Sequence, residues 1–173
     1  MKATALPAPV SDYSPAAIAI RRIESTSHPA HGQRGLFASK TIPPNTFVIQ
    51  YLGEIHVDDR PTSDYDLSLT KFYIPSAISE ESLAPGNDPK TPEQTCVNVG
   101  VDASAMGNEA RFINDYRGTG AERPNAFFKD VRDKQGVLHM TIWTGKEPIS
   151  KGKEILVSYG KGWWNARLEQ EET

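Results

Sequence analysis

This 173-residue chain holds one stretch whose residue order folding alone does not demand and a second that closes on a tyrosine of ordinary strand type. The first, Val101 to Tyr116, reads VDASAMGNEARFINDY. A helical turn with one apolar side accounts for Ala110, Phe112 and Ile113 as core. It gives no reason for a Gly107-Asn108 pair followed by Arg111 and then by Asn114. Those types supply tight backbone turns and hydrogen bonds of fixed direction. The second stretch, Ile149 to Gly160, reads ISKGKEILVSYG and ends on Tyr159-Gly160. A strand tyrosine is ordinarily a packing residue. A phenol with its usual pKa of about 10 is also a poor general base at neutral pH.

These stretches must be held by other elements. Residues 1–17, rich in Ala, Pro and Ser, are expected to form a flexible arm. Ile18, Ile20 and Ile23 follow a strand pattern. Residues 32–54 have the grammar of two strands around a Pro43-Pro44-Asn45 corner, as in a β-meander. Residues 58–96 hold eight acidic and three basic side chains, and five prolines exclude a long helix. This segment is either a solvated loop or a wall that steers a Lys/Arg-rich peptide. Within it, Tyr65 to Leu69 alternates like a strand. Pro124-Asn125 begins another, and Phe127–Asp130, a Lys134-Gln135-Gly136 turn and Val137–Trp143 predict a β-hairpin. Residues 161–173, with Trp163, Trp164 and Leu168, are expected to form a short helical tail.

Composition narrows the function classes. The length fits one domain. A net charge of −3 argues against a nucleic-acid binder held by phosphate contacts. No segment has the apolar length of a membrane span and the first residues lack a signal-peptide pattern, so a soluble, intracellular protein of nucleus or cytosol is expected. Cys96 is the single cysteine, which excludes an intramolecular disulfide and a cysteine-cluster zinc site. His28, His31, His56 and His139 lack a metal-binding spacing, and the first two read as part of a polar loop. No metal is expected.

Four blocks, taken in order, resemble the SET-domain protein lysine methyltransferases: GQRGLFA at 32–38, YLGE at 51–54, GNEARFIN at 107–114 with the later Pro124-Asn125, and the terminal Tyr159-Gly160. The family signature runs D-A-x-x-x-G-N-x-x-R-F-I-N-H-S and closes on I-x-x-G-E-E-L-x-x-x-Y-G. The resemblance spans nearly the whole chain and implies a SET domain over residues 18–160, mainly β, a β-clip with a knot-like core and few short helices. Residues 58–96 would be its variable insert, one wall of a peptide groove. S-adenosyl-L-methionine would be the cofactor and S-adenosyl-L-homocysteine the product. Gln33, Arg34 and Gly35, with Arg111, Phe112, Asn114 and Asp115, would line the cofactor site, Gly35 letting the backbone approach the ligand. Asn125 would pin the knot. Arg111 and Glu154 are expected to serve the scaffold.

By the same resemblance Tyr159 is the catalytic tyrosine and Tyr65 a wall of the lysine pocket, with Tyr73 as its substitute. Val157 occupies the position that influences the number of methyl groups added. Trp163 and Trp164 either lid the channel, where many relatives use a zinc-bound cysteine cluster, or cap the sheet. The partner implied is a lysine-containing protein or peptide such as a histone tail. The chain departs from the family at Gln33, often glycine, and at Asp115-Tyr116, usually His-Ser. Asp115 brings a charge that Arg117 or Arg123 would pair. These departures, with the missing zinc cluster, support a second reading, a SET-fold module that binds a basic peptide without turnover. A plain β-rich interaction domain would leave the glycines and Asn114 unexplained.

Overall fold

The computed structural model describes residues 18–75, 94–160 and 163–164. The N-terminal arm, the acidic residues Glu80, Glu81, Asp88 and Glu93, and the tail apart from its two tryptophans lie outside the described residues. Among the described residues there are four small sheets. Ile18–Arg22 (β1) pairs antiparallel with Arg34–Ala38 (β2). Phe47–Gln50 (β3) lies on one side of Leu138–Thr144 (β9), and Ala126–Arg132 (β8) on the other. Glu54–His56 (β4) and Asp66–Pro75 (β5) flank Gln94–Asp102 (β6). Asn114–Asp115 (β7) pairs parallel with Leu156–Val157 (β10). A single turn of 3-10 helix, Glu109–Phe112, precedes β7.

The apolar side chains at the strand centres meet in one core. Leu36, Val48, Ile142, Ile155 and Val157 are wholly enclosed, each contributing about 1.5–3 kcal/mol by burial. The predicted hairpin forms as β8 and β9, with Gly136 at φ 84° in its turn. The two strands of residues 32–54 do not form a meander. β2 takes β1 as its partner and β3 takes β9. Pro43 and Pro44 bring no N–H to a ladder, Asn45 turns the chain at φ 51°, and Ile42 bridges to Ile149 instead. Tyr65 falls just before β5, which begins at Asp66.

In the third sheet, His56 is buried opposite Gly100, where any Cβ would overlap the imidazole ring. The ring bonds Asp66 Oδ1 at 2.7 Å and the Asp58 carbonyl at 2.9 Å. Arg60 nearby is shared by Glu54 (2.9 Å), Asp58 (3.2 Å) and Asp102 (3.2 Å). Asp58 and Asp66 of the acidic stretch are thus engaged within the domain.

Burial lowers the His56 pKa, but its bonds to Asp66 and Asp58 outweigh burial and the net shift is upward. The folded chain therefore binds this proton more tightly than the unfolded one. The associated stability is complete below the ordinary value of 6.5 and is lost as pH rises through the folded-state value. The melting-temperature advantage of wild type over His56→Gln should shrink as pH rises above the ordinary value of 6.5. An advantage independent of pH would show that the proton contributes nothing.

Candidate functional site

A cleft of about 370 Å³ opens where the β1–β2 connection, the residues around β7, and Tyr159, Trp163 and Trp164 converge. Gln33, Arg34, Tyr65, Arg111, Phe112, Asn114, Asp115, Tyr159, Trp163 and Trp164 all line it. The β7–β10 pairing is what gathers them. Tyr116 N–H donates to the Val157 carbonyl at 2.9 Å. The Asn125 side chain clamps the same crossing, donating to the Glu154 carbonyl (2.8 Å) and accepting from Leu156 N–H (2.9 Å).

Tyr159 follows β10 directly, and its hydroxyl donates to the Ile113 carbonyl at 2.7 Å. Burial raises the phenol pKa, and the negative charge of Asp115 raises it further. The hydroxyl therefore stays protonated at neutral pH, with its lone pairs available as acceptors. Trp163 meets the Tyr159 ring edge-on at 4.8 Å, and Trp164 meets Trp163 at 5.0 Å. Tyr65 lies under the Arg111 guanidinium, 4.6 Å from its ring centre, while its carbonyl accepts from Tyr51 OH at 2.8 Å. Arg111 donates through Nη2 to the Ser104 carbonyl, and its Nε is buried without a partner.

Asp115 is buried and fully engaged. It accepts from Arg117 N–H (2.8 Å) and Nη1 (2.8 Å), from Tyr159 N–H (2.7 Å) and from Trp164 Nε1–H (3.3 Å). Charge-assisted bonds of this kind offset the cost of enclosing a carboxylate. Of the two arginines expected beside it, Arg117 is the partner. Arg123 pairs with exposed Glu147 at 2.6 Å instead.

Asn114 donates through Nδ2 to Glu154 Oε1 (2.8 Å) and toward the Arg34 carbonyl (3.4 Å). Its Oδ1 has no donor among the described residues. Glu154 Oε2 meets His28 Nε2 at 3.2 Å, and Ala30 N–H donates to His28 Nδ1 at 3.0 Å. His28 thus sits in the loop between β1 and β2, but its ring is buried in the cleft wall. Glu154 bonds both Asn114 and His28 through its carboxylate. His28 and Glu154 stand 126 positions apart, and no spacing rule joins them.

Three expected site residues fall elsewhere. Tyr73 is 65% exposed on β5, paired with Cys96. It stands eight residues beyond Tyr65, or roughly 26 Å along an extended strand, and cannot substitute for it. Val157 turns its side chain into the core because β10 is enclosed there. Gly35 is buried behind the cleft: a Cβ there would come 2.5 Å from Glu154 Oε1 and 3.2 Å from Asn114 Nδ2. Its missing side chain makes room for the Glu154–Asn114 pair, not for a ligand.

The residues present fit S-adenosyl-L-methionine chemically. Asn114 Oδ1 is an open acceptor for an ammonium, Arg34 has no carboxylate partner among the described residues, and Phe112 and Trp164 offer flat apolar surface for a purine.

Small β-sheets clamped by a terminal strand beside a cofactor-sized cleft define a β-clip architecture, and comparison with known proteins identifies which one. Residues 33–160 match the SET domain family model, and the chain belongs to that family. It is 28% identical over 141 residues to a Candida albicans histone-lysine N-methyltransferase, H3 lysine-36 specific, covering 78% of this chain and 14% of the relative. It is also 28% identical over 130 residues to the Arabidopsis thaliana histone-lysine N-methyltransferase SUVR3, covering 72% of this chain and 34% of the relative. The chain therefore spans a minor part of both relatives. Among solved structures it resembles Chaetomium thermophilum Polycomb Repressive Complex 2 bound to GSK126, with a TM-score of 0.58 and 20% identity over 90% of this chain and 17% of that one. A humanized mutant of the same complex bound to GSK343 gives a TM-score of 0.57 and 22% identity over 90% of this chain and 16% of that one.

Two variants test the geometry. Gly35→Ala should cost about 1–3 kcal/mol in urea denaturation, as overpacking does; wild-type stability would mean that the Glu154 carboxylate moves aside freely. Asp115→Ala should cost about 3 kcal/mol, because it strands Arg117 and two N–H donors, and should shift tryptophan emission to the red as Trp164 loosens. An unchanged spectrum and midpoint would show that Asp115 does not fasten the tail.

Proposed function

We propose that the chain is an S-adenosyl-L-methionine-dependent protein-lysine N-methyltransferase. The observation that carries this is the convergence on one cleft of a protonated tyrosine anchored to a backbone carbonyl and an asparagine with its amide oxygen open. The curated relatives, named as histone-lysine methyltransferases, support it. They also make a histone tail, at chromatin, the first substrate to test.

S-adenosyl-L-methionine, when bound, supplies an electrophilic methyl group on a positively charged sulfur. The chain's task is to present a neutral lysine amine in line with it and to keep water out. Tyr65, Tyr159 and Trp163 provide an aromatic enclosure that desolvates an ammonium and so lowers its pKa. The Arg111 charge, 4.6 Å from the Tyr65 ring centre, works in the same direction. Tyr159 donates to Ile113 and accepts with its lone pairs, which orients the amine and stabilises charge near the methyl. Its raised pKa makes water, and not the phenolate, the acceptor of the lysine proton. Asn114 Oδ1 and Arg34 hold the cofactor's amino-acid end.

Titration calorimetry of S-adenosyl-L-methionine into wild type and Asn114→Ala, with transfer of labelled methyl to histones and cell extract, tests this reading. Binding should be lost in Asn114→Ala. Tyr159→Phe should bind the cofactor normally and lose about 10²–10³ in turnover. Wild-type protein that does not bind the cofactor would defeat the proposal and leave a SET-fold module for basic peptides.

A further inference from the structure

We infer that His28 is a positioning residue for cofactor binding, acting through Glu154 to set the direction of the Asn114 amide. The inference rests on the proposed cofactor site and adds to it a residue outside the matched motifs.

The β1–β2 connection folds back on itself through Ile23 N–H to the Gln33 carbonyl (2.9 Å) and Gly32 N–H to the Ile23 carbonyl (2.9 Å), which carries His28 under the cleft. Because Ala30 N–H donates to Nδ1, that nitrogen must present a lone pair, and the proton of the neutral ring sits on Nε2. Nε2–H therefore donates to Glu154 Oε2. The His28 and Glu154 side chains are 8% and 12% exposed, so water offers the carboxylate little alternative.

The other carboxylate oxygen accepts from Asn114 Nδ2, and the Arg34 carbonyl lies near the same nitrogen. With two acceptors facing it, that end of the amide must be the NH₂ group. A flipped amide would set oxygen against oxygen. Oδ1 is then directed to the opposite side as an acceptor for the cofactor's α-ammonium. Without the His28 donor, the Glu154 carboxylate loses one of its two side-chain anchors and Asn114 loses its orientation. Gly35, whose Cβ would displace Glu154, leaves the space this relay occupies.

A merely structural role for His28 would weaken every ligand of the cleft alike. A positioning role affects only ligands that carry the amino-acid end. Calorimetry with S-adenosyl-L-homocysteine and with 5′-methylthioadenosine, which shares the nucleoside thioether but lacks the α-ammonium and carboxylate, separates the two. In His28→Leu the first ligand should bind about tenfold or more weakly, the value of one hydrogen bond to a charged group, while the second changes less than about twofold. His28→Gln, whose amide N–H can replace the Nε2 donor, should recover most of the loss. KM for S-adenosyl-L-methionine should rise in His28→Leu with kcat largely kept. Should His28→Leu fail to fold, His28→Asn, too short to reach Glu154, makes the same comparison. Equal losses for both ligands, or no loss for S-adenosyl-L-homocysteine, overturn the inference. Wild-type protein that binds neither ligand overturns the cofactor site itself, a distinct failure.

Discussion

The parallel pairing of Asn114–Asp115 with Leu156–Val157 is the constraint on which the rest of this structure depends. It is only two residues long on each side, too short to hold by its ladder bonds alone. Asn125 reinforces it with side-chain bonds to residues 154 and 156, and Tyr116 with a backbone bond to Val157. Enclosure of Ile155 and Val157 in the core supplies apolar stabilisation. Once this crossing is made, Tyr159 lies beside Ile113 and Glu154 beside Asn114. The Tyr159–Ile113 and Asn114–Glu154 bonds follow from that placement.

Asp115 shows how a family position is reused. Its side chain joins three pieces of chain: the turn at Arg117, the backbone at Tyr159 and the side chain of Trp164. The carboxylate also adds to burial in raising the pKa of the Tyr159 phenol. One buried charge thus serves both closure of the cleft and the electrostatics of the tyrosine. A histidine would make fewer acceptor bonds at that place, since an imidazole offers at most one.

Much of the site was legible in the sequence because the motifs sit where the backbone itself is constrained. The GNEARFIN stretch must turn tightly, and its Arg111, Phe112 and Asn114 all reach the cleft. The terminal Tyr159 does so for the same reason. Side chains whose placement depends on long-range partners were not legible. His28 does lie in a loop, but its burial against Glu154 was hidden because that partner is distant in sequence. Val157 was misplaced because motif position does not say which face of a two-residue strand is enclosed. Tyr73 failed on strand length. The Pro43-Pro44 corner, read as the bend of a meander, instead moves the chain from one sheet to another.

The relay from His28 to Glu154 joins the beginning of the folded domain to its end. Closing a loop of that length costs chain entropy, though the cost grows only slowly with length. The segment that supplies Glu154 also supplies Ile155 and Val157 to the core and Tyr159 to the cleft. One piece of chain therefore completes both the core and the cleft. Any ligand that binds only the completed cleft would stabilise the docked segment by mass action.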